Sequence, residues 1–469
     1  MIRQERPDNQ CPAGQTDPRP HMPHLADIAV IGAGAAGLMA AIQAAQDATP
    51  KTSIILLDGA KRPGVKILVA GGGRCNVTHH HVDESAYNGS SRHAIRKVLG
   101  RFGVDRTIAF FADLGVQLKR EQTGKLFPVT DDARTVLNAL IGQAARAGAE
   151  LIHPWRVAGV HREHGAFIIE RRRQPDDPVP RHPAGIRDAD RLHARAVILA
   201  TGGMAMPRSG SDGHGYSIAR ALGHSVTDRV FPALVPLTLP PSHFLCALSG
   251  ITIDAAVELR SQAGRPLANF TNSTLLTHFG LSGPSVLDIS RHYLATNPHG
   301  QESGPSAPGS PLTINFLPGR ATDELDRTLS ERGRSPSAPV LWRAFSGDIP
   351  ERLARAVCEH AGADPSASLS SLPREVRRRA AATFTGLELP ITGDRGFAHA
   401  EVTAGGVPLS EIRLETMESR VCPGLFICGE IADVDGRIGG FNFQWAWASG
   451  YVAGRAAAAA VAGTGMPGQ

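Results

Sequence analysis

The stretch Asp27–Gly37, DIAVIGAGAAG, decides the fold. Ile28–Ile31 is a short apolar run of the kind a buried parallel strand shows. Gly32, Gly34 and Gly37 then satisfy G-x-G-x-x-G. The first glycine permits a tight turn, the second lets backbone approach a pyrophosphate, and the third lets a helix pack on its strand. Leu38–Gln46 reads as that helix, its positive end facing the phosphates. Ser53–Leu57 reads as the next strand. Asp58 ends it about twenty positions after the last glycine, where an acid accepts hydrogen bonds from ribose hydroxyls. Three glycines alone say little. A strand, turn, helix, strand and acid in this order predict a dinucleotide site, whereas a merely packed Ala/Gly-rich helix start has no need of the acid.

The far end of the chain answers this stretch with Gly424–Gly450, GLFICGEIADVDGRIGGFNFQWAWASG. Leu425–Cys428 reads as a buried strand with Gly429-Glu430 at its carboxyl end, and Asp433 and Asp435 follow. Gly439-Gly440 opens a helix from about Asn442 through Ala456–Ala462, so a second helix N-terminus is aimed at the cofactor. Between these ends, Gly64–Thr78, GVKILVAGGGRCNVT, places consecutive glycines after an apolar run. Backbone there comes close to something or takes positive φ. Arg74 and Asn76 then offer a cation and an amide beside the phosphates and ring. Ala196–Ala200 reads as a buried strand running directly into Thr201-Gly202-Gly203, at the crevice where open α/β sheets bind ligands.

The totals agree with a soluble protein of two or three domains: 469 residues, net charge +5 and pI about 9.0. The basic excess is almost all Arg beyond Lys125, and it does not require a nucleic-acid partner. No window approaches a membrane span and no signal-type apolar core stands at the N-terminus, so a soluble, cytoplasmic protein is expected. The six cysteines form no CxxC, which fits a reducing compartment. Cys75 reads as buried rather than reactive, and His79–His81 as a solvated loop rather than a metal site. The composition sets no oligomeric state.

The remaining chain is read in order. Residues 1–24 form a polar, Pro-rich leader, expected to be disordered. Arg92–Gly115 and Thr130–Ala147 read as helical, and Glu150–Ile152 as a third strand. Val157–His161, Phe167–Arg171 and Leu192–Arg195 read as a β-meander, with an exposed loop at Gln174–Asp190. Val230–Pro240 and Ile251–Leu267 read as short β segments. Ser282-Gly283-Pro284 can start a helix. Tyr293–Pro311 reads as a linker, Leu312–Leu317 as a strand and Asp323–Thr383 as mostly helical. Gly210–Gly215 follows no strand, so a second nucleotide domain is not expected. Any NAD(P)H must then visit the flavin's open face transiently.

A tightly held FAD asks for more than one glycine turn. It asks for a strand ending in Thr-Gly, a C-terminal strand ending in Gly-acid, and a helix N-terminus that stabilises negative charge on the reduced ring. All three patterns are present. The segments IGAGAAG, ILVAGGGRCNVT (67–78), ATGG (200–203), FPALVPL (231–237), THFGLSGP (277–284), ITGDRGF (391–397), VTAGGV (402–407) and GEIADVDGRIGGFNFQWAWASGYVAGRAA also resemble the BaiN/YhiN group of bacterial flavoproteins. The resemblance spans about residues 26–460. It implies an α/β protein whose glutathione-reductase-type FAD-binding Rossmann domain is split by an inserted β-rich domain, itself carrying a smaller helical domain. The boundaries read as 25–208 and 391–469 for the FAD-binding domain, 209–275 and 369–390 for the β-rich domain, and 276–368 for the helical one. By the same resemblance the cofactor residues are Gly32, Gly34, Ala36, Gly37, Asp58, Lys66, Arg74, Asn76, Thr201, Gly202, Gly429, Glu430, Gly440, Phe441 and Asn442. Asp58 departs from the family, which more often has Glu. The leader and the loop 172–190 look longer than usual.

The flavin would carry a hydride at N5, and the protein must hold a small-molecule substrate over the ring and manage a proton. No general base is named by the pattern. His278, Arg437, Gln444 and Asn76 are the candidates to face the ring. Each has a structural alternative: His278 as an interface residue beside Phe279, Arg437 as the partner of an acid. The leading expectation is an FAD-dependent oxidoreductase reduced by NAD(P)H or a small amine. Alternatives are an RNA-modifying flavoprotein, supported by the Arg374–Arg379 region, and a non-catalytic flavin-binding redox sensor. Salt-dependent RNA binding marks the first alternative. Bound flavin that no donor bleaches marks the second.

Overall fold

A computed structural model describes residues 25–173, 190–297 and 309–463. The leader 1–24 and most of the loop 172–190 and of the linker 293–311 lie outside the described residues. The central sheet has nine strands, and five run parallel in the order Leu425–Ile427, Arg191–Leu199, Leu25–Ile31, Ile54–Leu57, Ala149–Ile152. Val30 sits between Ile198 and Leu56, and Ile198 in turn faces Phe426. Residues 28–31 and 196–199, Ile54–Leu57 and Leu425–Ile427 are apolar because both faces are covered there, as parallel sheets require. The last parallel strand to join comes from the C-terminal end of the chain, so the two motif-bearing ends share one sheet.

Helix packing draws the same ends together. Ala35–Asp47 lies against Phe441–Gly463. A Cβ on Gly450 would stand 2.5 Å from the Ala36 carbonyl oxygen, and one on Gly454 would stand 2.2 Å from that of Ala40. Two glycines four residues apart therefore let the helices touch backbone to backbone, an approach any side chain would prevent.

A second, seven-stranded sheet is built from residues 237–394 and is antiparallel wherever its strands pair. Its long hairpin, Thr252–Arg260 with Pro266–Thr277, turns at Gly264 in the left-handed region. The helices Pro284–Thr296, Thr322–Gly333, Glu351–His360 and Arg374–Gly386 contribute buried side chains to the same hydrophobic cluster as this sheet. A separate cluster fills the parallel sheet.

Several local readings change. Arg92–Gly115 is two helices, Arg92–Leu99 and Val104–Asp113, broken between Gly100 and Gly103. Leu192–Arg195 and Ala196–Ala200 merge into one strand whose first half pairs with Ala166–Arg171 and whose second half enters the parallel sheet. Ile251–Leu267 is not a set of short segments: the hairpin carries it through, and polar residues alternate because one face meets solvent. Gly64–Thr78 begins as a helix that loses helical dihedrals at Ala70, Gly71 and Gly72.

Candidate active site

The three turn glycines are not equivalent. A Cβ at Gly32 would meet the Ala200 carbonyl oxygen at 2.4 Å, and one at Gly37 would meet that of Gly32 at 1.8 Å. Both are glycines because the protein itself is in the way. Gly34 has nothing within 4 Å of an added Cβ, and its φ of −80° suits any residue. It borders a cavity of about 460 Å³, so what needs its missing side chain is an occupant of that cavity. The helix Ala35–Asp47 starts at this point and turns its N-terminal end to the same space.

The cavity joins both ends of the chain. Ala36, Asp58, Lys66, Arg74, Asn76, Thr201, Gly202, Gly429, Glu430, Gly440 and Asn442 all line it, as does Arg437. Asp58 accepts N–H bonds from Ala33 (2.7 Å) and Ala60 (2.7 Å). Burial pushes its carboxyl up and these two N–H bonds pull it back down. Four residues of the wall each carry a buried polar atom with no partner among the described residues: Asn76 Oδ1, Trp155 Nε1, Thr201 Oγ1 and Ser211 Oγ. Buried polar groups are nearly always satisfied, and leaving one orphaned costs about 1–3 kcal/mol. Four on one wall describe the inner surface of a polar ligand. A flavin dinucleotide, with its ribose hydroxyls, diphosphate and ring carbonyls, fits this set of donors and acceptors.

Several residues expected here are already engaged. Lys66 Nζ pairs with Glu430 Oε2 at 2.5 Å, and Glu430 Oε1 accepts the Thr403 N–H. Arg74 pairs with Glu121 at 2.6 Å and covers the Phe127 ring at 4.0 Å. The Asn442 amide clasps both backbone groups of Gly436, leaving its own backbone for the cavity. Arg437 pairs with Asp288 at 3.4 Å, realising its structural alternative while still lining the wall.

Other expected residues stand elsewhere. Gly37 packs beneath the turn, and Phe441 stacks on His79 at 5.0 Å with its carbonyl accepting from Tyr87. Gln444 is buried away from the cavity, accepting from Thr78 and Thr107 and donating to the Phe102 carbonyl. His278 is exposed, edge-on to Phe279, and does not line the cavity. Gln444 and His278 therefore do not face a bound ring. Gln444 seemed eligible because it follows the C-terminal glycines, but the helix turns its side chain to the opposite side. Burial pushes the Cys75 and Cys428 thiols up to about 12, which removes both as nucleophiles at neutral pH.

Among the wall residues that carried no motif are Lys125, which starts the strand Lys125–Pro128, and Glu401, just before Val402–Ala404. Sequence spacing gives no sign that segments nearly three hundred residues apart meet. A Glu–His–Ser relay also exists outside the cavity, with His224 within 2.7 Å of both Glu411 and Ser419. Ser419 is buried and its Oγ accepts the N–H groups of Val421 and Cys422, so this relay ties a turn rather than attacking a substrate.

The HI0933-like protein Rossmann domain family matches residues 26–456. This chain belongs to that family. It is a flavoprotein oxidoreductase. It is 34% identical over 425 residues to the 3-dehydro-bile acid delta(4,6)-reductase of Clostridium scindens, covering 90% of this chain and 96% of that one. It is 30% identical over 400 residues to the ribosomal RNA dihydrouridine synthase of Escherichia coli K12, covering 85% and 90%. Among solved structures it is similar to a 3-ketosteroid-delta4-(5alpha)-dehydrogenase of Rhodococcus jostii RHA1, at 15% identity and TM-score 0.45 over 93% of this chain and 97% of that one. That likeness is too distant to speak for the chemistry. No helix among the described residues is long and apolar enough to cross a membrane.

Proposed function

We propose that this flavoenzyme reduces a carbon–carbon double bond conjugated to a carbonyl in a small molecule, with FAD as hydride donor at N5 and NAD(P)H as the electron source. The observation that carries the cofactor part of the reading is the cavity wall, where Gly34 is open and four lining residues hold a polar atom with no partner among the described residues. FAD supplies the two-electron step when bound. Gly34, Ala36 and the adjoining helix end would hold the diphosphate, with Gly32 and Gly37 shaping the turn. Asp58 would hold ribose. Thr201, Gly202, Asn76, Gly429, Glu430, Gly440 and Asn442 would border the ring and ribityl chain. Lys66 and Arg74 would act at one remove, through the acids they pair with. The relatives' names support the reaction class: one names a delta(4,6)-reductase of a 3-dehydro bile acid and the other a synthase of dihydrouridine. Each describes saturation of a C=C bond conjugated to a carbonyl. We also propose that residues 209–390 form a lobe inserted into the FAD-binding domain, since Arg191–Leu199 before that segment and Leu425–Ile427 after it pair in one parallel sheet.

A second reading, reduction of a base in RNA, is favoured by the dihydrouridine synthase relatives and by Arg327, Arg374, Arg377 and Arg378 around one surface recess. Asp323 and Asp326 share that recess, and Arg377 is paired with Asp326 at 2.8 Å, which weakens its pull on phosphate. The test is to purify the protein with its flavin, add NADH, NADPH or small amines without oxygen, and follow bleaching. The reduced protein is then mixed with cyclohex-2-enone, a 3-oxo-Δ4-steroid or a uridine-containing RNA. Reoxidation by the small enones supports the first reading, and reoxidation by RNA alone, with a steep salt dependence, supports the second. Bleaching by amines but not by NAD(P)H contradicts the donor.

A further inference from the structure

Nearly every charged group on the cavity wall is already answered within the protein. Lys66 has Glu430, Arg74 has Glu121, Arg156 has Asp212, Arg437 has Asp288, and Asp58 has two N–H groups. Lys125 and Glu401 are different. Both line the cavity, and among the described residues neither side chain has a hydrogen bond or ion pair. They do not close one with each other, although Lys125 is the largest charge influence on Glu401.

Glu401 is held firmly. Its N–H donates to the carbonyl of Leu234, a non-glycine residue at φ +51° that also lines the cavity. The side chain has accessible surface, yet protein crowds it enough that burial pushes its carboxyl up. A cavity explains both, with water-sized space on one side and protein around that space. The charged groups facing it are Lys125 from the strand Lys125–Pro128, Asp288 from the helix Pro284–Thr296, and Lys66 from Val65–Gly73. Asp288 raises the carboxyl further and the two lysines lower it. A cation and an acid without side-chain partners among the described residues, on separate segments that line one cavity, form two ends of a polar ligand site.

We propose that Glu401 and Lys125 receive the substrate, Lys125 donating to a carbonyl oxygen and the Glu401 carboxylic acid supplying the proton that accompanies hydride. This rests on the reductase reading above. A reduced flavin, when bound, would supply the hydride with its electron pair to the β carbon of the enone. The C=C π pair moves toward the carbonyl, where the Lys125 ammonium stabilises the charge on oxygen. The α carbon then takes the proton from Glu401. Two C–H bonds form and one π bond is lost, the substrate is reduced and the flavin oxidised, and solvent returns a proton to Glu401.

The test uses holoenzyme of the wild type, Glu401→Gln, Lys125→Met and Lys125→Arg, with flavin content and thermal midpoint as checks on folding. Dithionite-reduced enzyme is mixed with cyclohex-2-enone in a stopped-flow instrument across pH. Glu401→Gln is expected to slow reoxidation roughly 100-fold, the low end for general acid catalysis, and to abolish the wild-type fall in rate at rising pH. An unchanged rate and profile overturns the acid. Binding is read separately, from the flavin spectrum of the oxidised enzyme titrated with the same enone. Lys125→Met is expected to weaken binding about tenfold, with Lys125→Arg recovering most of it. Unchanged affinity overturns the pair. If no enone reoxidises the wild type, the reductase reading and the proton step fall together. The Lys125 binding shift then still decides whether the two residues form a carbonyl site.

Discussion

Valine at Gly34 separates what the cofactor needs from what the fold needs. The Gly34 backbone is extended, at φ −80° and ψ −169°, and an added Cβ finds only the cavity. Gly34→Val therefore leaves the apoprotein intact. Loss of unfolded-state freedom is worth about 0.4–1 kcal/mol, and a valine at the helix N-cap costs about as much, so the apoprotein's stability is nearly unchanged. The cofactor meets the opposite effect. A branched side chain in the diphosphate position costs about 1–3 kcal/mol in overlap, and displacing the phosphates from backbone N–H groups costs about 1.5–3 kcal/mol more. Together this is roughly two to four orders of magnitude in FAD affinity. Gly37→Ala is the control, because its Cβ would lie 1.8 Å from the Gly32 carbonyl oxygen and 3.3 Å from the Ala200 Cβ. There the fold itself loses about 3 kcal/mol or more. The assay is a thermal melt of flavin-stripped protein beside a fluorescence titration with FAD. A Gly34→Val protein that binds FAD at wild-type affinity refutes the placement of the diphosphate. One whose apoprotein melts as early as Gly37→Ala refutes the claim that only a ligand requires this glycine.

Three further outcomes follow from the same contacts. Gln444→Leu strips the Phe102 carbonyl and two threonine hydroxyls of a buried partner, so a denaturant melt should show a loss of about 2–4 kcal/mol, while the visible spectrum of the remaining holoenzyme is unchanged. His278→Ala should leave flavin content and every reduction and reoxidation rate within twofold of wild type; a larger drop in rate would restore it to the reaction. Stability should fall as pH rises above the ordinary carboxylate range. Burial pushes Glu401, Asp288 and Asp435 up, so the folded chain retains protons that the unfolded chain has released, and each contribution is lost as pH climbs through the raised value. Exposed acids lowered by a hydrogen-bonded partner, Glu84 by Arg96 and Glu415 by Lys97, act the other way and are screened. Urea melts between about pH 5 and pH 8 check the sign, and Glu401→Gln should flatten the slope.

The cofactor half of the site was legible because its chemistry is done by backbone. A glycine turn, a strand ending in Thr-Gly and a helix start are local patterns, and local patterns survive in one dimension. The same locality misled at Gln444 and Phe441, which sit beside the right glycines but turn inward on a helix whose face is set by Gly450 and Gly454 against Ala36 and Ala40. It also hid the structural work of Asn442, and for Arg437, expected to pair with an acid, it could not name Asp288 as that acid. The proposed substrate half was illegible for a different reason. Lys125 and Glu401 belong to no motif, and each would pass for surface charge in its own segment. They become distinctive through what surrounds them: neighbours that pair off and leave these two unanswered. Backbone-made sites can thus be read from spacing, whereas a side-chain-made site is recognised by counting which charges remain after the rest have found partners. That is why the glycines predict the cofactor, and why the substrate's polar ends are to be sought at Lys125 and Glu401.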